Sequence, residues 1–299
     1  MLESVLRELV ARHAKAEGIA QTPIEGVSLF RISQPIARLP GVYPASMCCI
    51  AHGTKRAYLG DVAYTYDPEH YLCATMALPV EAEVPFASKE QPVLGVLLDL
   101  DTRAMAETRI AYEAAARPRR AGEELAPGLV VGDVDDRFLD AVVRLLQLLD
   151  DPVALQVLGE SRRRELLFTL LDGEAGPTLR QSAGGARGIA DVVTYVREHL
   201  AEPLTVDDLA KRAGMSRAVF HRQFKAATSH SPLQFLKALR LNHAAMQIVA
   251  GESVGQAAEA VGYVSASQFS REFRRQFGAS PKQWTRSAVA TADVQAVRS

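Results

Sequence analysis

Three regimes of hydrophobic spacing follow one another along this chain. Leu2, Val5, Leu6, Leu9 and Val10 recur at three- and four-residue intervals and predict a helix over 1–17. Residues 23–35 change character, with prolines at 23 and 35 around Val27-Ser28-Leu29-Phe30. From 43 to 100 the apolar runs are short. They are punctuated by turn signals at His52-Gly53-Thr54, Gly60-Asp61, Asp67-Pro68 and Lys89-Glu90-Gln91-Pro92. This predicts strands over 46–52, 55–59, 62–66, 70–76, 80–86 and 93–99, and so an antiparallel barrel or sandwich. Helical spacing returns over 101–116. A basic, Gly/Pro-containing loop with some extended structure follows over 117–132. A helix over 134–149 has a broad apolar face of Phe138, Leu139, Val142, Val143, Leu145, Leu146 and Leu149. Pro152 opens another, to about Leu171, with Leu166, Leu167, Leu170 and Leu171 apolar and Arg162-Arg163-Arg164 polar. Such an apolar pair packs on the β domain, on a second subunit, or on both. The arginine run reads equally as a solvated face.

Residues 172–188 hold five glycines and one proline and predict a linker between two domains, 1–172 and 189–287. In the second domain, Ile189, Val192, Val193 and Val196 give a helix over 189–201. Thr205 and Asp208 form a capping-box pattern for 206–213. Ser216 caps 217–228, and Ser231-Pro232 opens a long helix to about Gly251. Val254, Ala257, Ala258 and Val261 mark a short helix. Gly262-Tyr263-Val264 is a turn, and Ser265 caps a helix over 266–276. A short helix, a Gly turn and a basic amphipathic helix spell helix-turn-helix. The pattern occurs twice. Phe220, Phe224, Pro232 and Phe235 recur 49 residues on as Phe269, Phe273, Pro281 and Trp284, while Gly214 recurs 48 on as Gly262. One copy alone would fit an ordinary helical bundle. Two copies, each with basic residues on its Phe-bearing helix, point to DNA. The long helix spans roughly 30 Å, which matches successive major grooves about 34 Å apart. The tail 288–299 shows no core and is expected to fray.

Charge agrees with that division. Residues 1–172 carry 18 Lys and Arg against 25 Asp and Glu; residues 173–299 carry 16 against 10. The halves are thus −7 and +6, and only the second suits a polyanion. Cys48, Cys49 and Cys73 are too few and too clustered for a disulfide framework and fit a reducing cytosol. On a strand, Cys48 and Cys49 would point to opposite sides. Glu3, Arg7 and Glu8 interrupt any signal-peptide run, and no 18-residue apolar stretch predicts a membrane span. The expected compartment is the cytoplasm.

Residues 189–287, through Ala258, Gly262, Tyr263, Ser265, Phe269, Arg271, Phe273, Gly278, Pro281 and Trp284, closely resemble the DNA-binding domain of AraC/XylS-type transcription regulators. Residues 25–35 and 43–101, with Tyr43, Ser46-Met47-Cys48, Gly53, Lys55, Gly60, Asp61, Tyr66, Pro79 and Leu98-Asp99-Leu100-Asp101, resemble the N-terminal domain of one subgroup. The resemblance implies an α+β chain: a cupin-like β-barrel with helices, then an all-α domain of two helix-turn-helix units joined by a long helix. It implies a ligand-responsive regulator that senses a small-molecule effector, forms a homodimer and binds double-stranded promoter DNA, with RNA polymerase a candidate partner. The dimer contacts are expected from Phe138, Leu139, Val142, Leu145, Leu146 and Leu149.

The buried phenylalanines dictate which side chains can face DNA. By resemblance, Ala218, His221 and Arg222, then Ser267, Ser270 and Arg271, match base-reading positions, and Gln268 lies on the same exposed surface. Arg222 and Arg271 suit guanine O6 and N7. Arg217, Lys225, Arg240, Arg274, Arg275 and Lys282 suit phosphates. For any one arginine the alternative is a surface salt bridge. Ser229 stands where the second copy has Gly278, the residue expected in a left-handed helix end; the first recognition helix should therefore end differently or be less stable. In the front half, Cys48, His52, Arg56, Tyr64, Tyr66 and His70 lie on predicted strands or their ends and are candidates for an effector pocket. Lys55 and Arg56 could receive an anion or simply be exposed. Cys48 could react with an electrophile or be a buried, inert thiol. His52 and His70, with no H-x-H spacing, do not make a metal site, and no cofactor is expected. Two alternatives stay open: a cupin-type enzyme with a DNA-binding tail, and a constitutive architectural DNA-binding protein.

Overall fold

The structure, a computed structural model, describes residues 1–100, 103–115, 127–182 and 188–284. The chain opens with α1 (Leu2–His13), which buries Leu6, Leu9 and Val10. Nine strands follow: β1 (Gly18–Gln21), β2 (Val27–Ile32), β3 (Ile36–Tyr43), β4 (Ser46–His52), β5 (Lys55–Leu59), β6 (Val62–Tyr66), β7 (His70–Ala74), β8 (Leu78–Val84) and β9 (Val93–Asp99). Next come α2 (Arg103–Ala115), β10 (Leu129–Asp133), α3 (Asp136–Leu146), a 3-10 turn over Gln147–Asp150, α4 (Pro152–Asp172) and α5 (Gly176–Ser182). The chain then runs through α6 (Ile189–Glu198), α7 (Val206–Arg212), α8 (Arg217–Thr228), α9 (Pro232–Val249), α10 (Val254–Ala260) and α11 (Ala266–Phe277).

The α+β division is as expected. The strands pair antiparallel in two sheets, β1-β2-β9-β4-β7-β10 and β3-β8-β5-β6, rather than closing into one barrel. Strands 46–52, 55–59, 62–66 and 93–99 lie where the apolar spacing puts them; β7 starts where expected and ends two residues early, and β8 is shifted by two residues toward the N-terminus. β1 and β3 carry no clear alternation, and the spacing does not predict them.

Side-chain alternation splits the sandwich into two cores. Met47, Cys49, Cys73, Val96 and Leu98 face α1, α3 and α4. Phe30, Cys48, Ile50, Leu59, Tyr66 and Leu72 lie in the cluster between the sheets, so Cys48 and Cys49 do point to opposite sides. That inner cluster continues without a break into α6, α7, α8 and the first half of α9. α10, α11 and the second half of α9 keep a separate core.

The broad apolar face of α3 belongs to this chain's own interior. Phe138, Leu139, Val142, Leu145 and Leu146 are buried against the six-stranded sheet and α4, and Leu149 packs on the same cluster. The Phe138 ring stacks on Tyr71 at 4.6 Å, and Asp135 caps the helix by accepting from the Phe138 N–H at 2.7 Å. The first five are therefore not available to a second subunit, because the sheet and α4 already bury them, and Leu149 is half-buried beside them. The expected linker is partly folded as well: α5 lies inside it, and Ala175 and Leu179 bury in the α3–α4 core. Residues 101, 102 and 116 of the expected helix, 117–126 of the expected loop, 183–187 of the linker, 285–287 of the second domain and the tail 288–299 lie outside the described residues.

Phe138→Ala should destabilise the chain by about 3–5 kcal/mol, the usual cost of emptying a packed aromatic site. Urea unfolding followed by circular dichroism would measure it, and the oligomeric state of the folded fraction should stay unchanged.

Candidate nucleic-acid interface and sandwich interior

Each recognition helix is set by two phenylalanines one turn apart. Phe220, Phe224, Phe269 and Phe273 are fully buried. Phe224 meets Phe235 edge-on at 5.1 Å, and Phe273 meets Trp284 edge-on at 5.9 Å, so the repeat extends to the aromatic partner on the next element. The caps repeat too. Ser216 accepts from the Val219 N–H and Ser265 from the Gln268 N–H. Ser231 with Gln234 forms a capping box, and Ser280 and Gln283 make the same reciprocal bonds.

With the rings inward, Arg217, Ala218, His221, Arg222 and Lys225 are exposed on α8, and Ser267, Gln268, Arg271, Arg274 and Arg275 on α11. Ser270 is half-buried, and Lys282 is exposed just beyond α11. Arg217 pairs with Asp207 at 3.4 Å. Among the described residues Arg222, Lys225, Arg271, Arg274, Arg275 and Lys282 make no ion pair. Arg240, expected at a phosphate, is turned inward: its Nε and Nη2 donate to the carbonyls of Leu200 and Glu202, both at 2.7 Å. A half-buried guanidinium is satisfied there by backbone oxygens, so it braces α9 against the segment after α6. Glu272 does similar work in the second unit. It accepts from Tyr263 at 2.8 Å, Gln268 at 3.2 Å and Lys237 at 3.3 Å. Burial pushes its carboxyl up, but these three donors together outweigh burial and hold it below its ordinary value.

The first recognition helix ends on Ser229 in the left-handed region, φ +59°, the conformation that Gly278 adopts at φ +74° after α11. A residue with a Cβ is strained there by about 1–2 kcal/mol.

Inside the sandwich, strand parity sorts the candidate residues. Lys55, Ala57 and Leu59 share the inward face of β5, with Tyr64 and Tyr66 opposite on β6. Cys48 lies in the same interior. Burial pushes its thiol up, opposed in part by the Lys55 charge and a hydrogen bond with Tyr66, so the unreactive thiol form dominates. The Tyr66 hydroxyl is 3.4 Å from that of Tyr43. Three of the six predicted pocket residues stand elsewhere. Arg56, adjacent in sequence to Lys55, faces outward and pairs with Glu83 at 3.5 Å. His52 sits at the strand end with Nδ1 against the Pro92 carbonyl at 2.6 Å. His70 lies between Asp67 at 2.8 Å and Asp133 at 3.6 Å; chiefly its bond to Asp67 raises its pKa. The residue missing from those six is Lys55. Its Nζ lies 4.8 Å from the centroid of Phe30 and 5.9 Å from that of Tyr66, and among the described residues it makes no ion pair. The apolar residues at 57 and 59 were the available signal for its direction. Among the described residues no group of three or more His, Cys, Asp and Glu could hold a metal ion.

The long helix joining the two units is docked on the sandwich. Asn242 of α9, buried, donates from Nδ2 to the Gly41 carbonyl of β3 at 2.9 Å.

A sequence model of the AraC-type transcriptional regulator N-terminus matches residues 23–178, slightly over half the chain. The chain belongs to the AraC-type transcriptional regulators. A model of a helix-turn-helix domain matches 209–287, so this is a DNA-binding regulator. The regulatory protein SoxS of Escherichia coli strain K12 is 34% identical over 97 residues, covering 32% of this chain and 91% of SoxS. The transcriptional activator RhaS of Escherichia fergusonii is 29% identical over 161 residues, covering 50% of this chain and 55% of RhaS. In three dimensions, an apo form of ToxT from Vibrio cholerae strain SCE256 matches with a TM-score of 0.55 over 89% of this chain and 98% of that one. At 11% identity this likeness is one of fold. RhaS is a transcriptional activator and SoxS a regulatory protein, and among the described residues no helix is long and apolar enough to cross a membrane.

Proposed function

We propose that this chain is a cytoplasmic, non-enzymatic regulator whose N-terminal domain, about 1–182, senses a small molecule and whose domain 189–287 reads double-stranded promoter DNA with α8 and α11. The observation that carries it is the pair of basic surfaces left exposed by buried phenylalanines at matched positions of a repeat. In this reading Ala218, His221, Arg222, Ser267, Gln268, Ser270 and Arg271 face base edges. Arg217, Lys225, Arg274, Arg275 and Lys282 hold phosphates, and RNA polymerase is a candidate neighbour at the promoter. Arg222→Ala or Arg271→Ala should each cost about 1–3 kcal/mol on the specific site and relax specificity there. Lys225→Ala should weaken all sequences alike and reduce the salt slope by about 1. Titrations of specific and scrambled duplexes across a salt series separate these outcomes; equal losses on both duplexes for the two arginines would reject base reading.

The effector is an organic anion with an apolar body, its acid group received by Lys55 between Tyr43, Tyr66 and Phe30. A half-buried ammonium on aromatic faces, with no carboxylate partner among the described residues, is a site for one. An unsaturated fatty acid, bound in one ToxT structure, is such a molecule. Calorimetry with straight-chain carboxylates and the matching alcohols should show binding of the acids alone, weakened at least about tenfold by Lys55→Met. Equal binding of acids by the variant would remove this assignment.

A homodimer forms through the outer face of α4 rather than through α3. Val153 and Val157 are both 72% exposed on its N-terminal half. On its C-terminal half, Phe168 borders a groove of ≈ 540 Å³ between α2 and α4, lined by Thr108, Ala111, Tyr112 and Ala115. An antiparallel pairing with a second copy sets each valine ridge in the other's groove. It also brings Glu160 to Arg164 of the other copy, and among the described residues neither has an ion-pair partner within the chain. A parallel pairing would oppose like charges. Val157→Glu should shift the sedimentation of the folded protein from dimer to monomer, and an unchanged dimer would exclude this face.

A further inference from the structure

The two copies of the repeat do not end alike, although their backbones do. Glycine takes the left-handed end of α11 without steric cost, and nothing lies within 4 Å of where its Cβ would be. Serine holds the same conformation after α8, and beside it the end of the helix meets the sandwich. The N–H of Gly128, one residue before β10, donates to the Ala227 carbonyl at 2.7 Å. That carbonyl belongs to the last turn of α8 and has no partner within the helix. Gly60, in the turn between β5 and β6, stands against the same end; a Cβ on it would lie 3.7 Å from His230 and 4.0 Å from Ser229. The other bonds there are local: Ser229 N–H to the Lys225 carbonyl at 2.9 Å, and His230 Nδ1 against the Thr228 carbonyl at 2.8 Å.

Gly128 is held from its other side as well. Its carbonyl accepts from the N–H of Thr75 at 2.9 Å, just past β7, and the next residue begins the strand that pairs with β7. Only a glycine fits: a Cβ on it would stand 2.6 Å from the Ala227 oxygen, whereas its other near neighbours are the flexible ends of Leu78 and Met76. Its φ is not in the left-handed region, so the close approach to α8, and not the backbone, demands glycine. Packing has the same asymmetry, since the first unit shares the sandwich's inner core and the second has its own.

We propose that Gly128 is a positioning residue for DNA recognition, through which the sensor domain supplies a partner to the Ala227 carbonyl beside the strained Ser229 end of α8, so that the first recognition helix is held by the sandwich and the second holds itself. A shift of β7 and β10 caused by whatever occupies the interior then reaches α8 and leaves α11 in place. The inference rests on the reading of α8 and α11 as two separate DNA readers.

The test uses the full chain and a duplex that the chain itself selects from random-sequence DNA, with footprints of Arg222→Ala and Arg271→Ala marking the stretch each helix reads. Gly128→Ala should weaken binding about tenfold, with protection lost over the α8 stretch and kept over the α11 stretch. Adding Ser229→Gly, which gives α8 the self-sufficient end of α11, should bring affinity back to within about threefold of the parent. Without DNA, amide exchange at Ser229 and the last turn of α8 should quicken about tenfold in Gly128→Ala, with Gly278 and the last turn of α11 unchanged. In the parent protein the Gly128 and Ser229 amides should open with one common denaturant dependence, a readout that needs no variant to fold. Unchanged exchange at Ser229, separate opening of the two amides, or equal loss of protection over both stretches would overturn the proposal. Footprints of the two arginine variants that fail to separate would reject the two-reader reading instead, and exchange would still decide the Gly128 contact.

Discussion

Burying two aromatic rings one turn apart fixes the rotation of a helix about its axis, and everything this chain offers to DNA depends on that. Phe220 with Phe224, and Phe269 with Phe273, leave no freedom in which residues face outward. A slip of one position turns a helix by about 100° and would carry Arg222 or Arg271 off the exposed surface. The rings are anchored in turn by Phe235 and Trp284, each placed by a Ser-Pro capping box just after a left-handed helix end. The basic side chains decide what is read, and the apolar ones decide where they are aimed.

A second constraint is that the two units meet different neighbours. The unit of α10 and α11 closes over Ala257, Ala258, Val261 and the end of α9, and the Glu272 carboxylate ties Tyr263, Gln268 and Lys237 together beside it. The unit of α7 and α8 has no such closure, because its inner face runs on into the space between the sheets. Asn242 extends the connection by placing an amide, with little water access, on the edge of β3. A buried polar bond contributes little net stability but penalises any packing in which its partner is absent, so it sets where α9 rests on the sandwich more than how tightly.

The all-α half was legible in the sequence because its information is local. Ring spacing, Ser caps, Ser-Pro starts and the Gly262 turn each act within one or two turns of chain. The sandwich was legible as strands but not as sheets, since β1 and β3 lack alternation and pairing order is decided by partners far along the chain. The same limit explains the misplaced residues. An apolar face such as that of α3 announces that it will be buried without saying against what. A second subunit suits it in the sequence, whereas in the fold Tyr71 and the sheet take it. Arg240 shows charge in the sequence but not direction. Lys55 and Arg56 are neighbours whose roles are exchanged by strand parity alone, and Ala57 and Leu59 would have settled that parity. The serine at the left-handed end of α8 reads locally as a defect, and no local signal shows that Gly128, roughly a hundred residues earlier, bonds the Ala227 carbonyl beside it.

The shared core of the first unit has an evolutionary consequence. A duplicated motif is free to diverge only where its copies answer to different neighbours. Substitutions on the inner face of α8 must satisfy the sandwich and the helix bundle together, while those around α11 answer to one small core. Changes of target sequence should therefore be easier to acquire through the second copy, leaving the first to preserve the link between what the front of the protein holds and what its back can read.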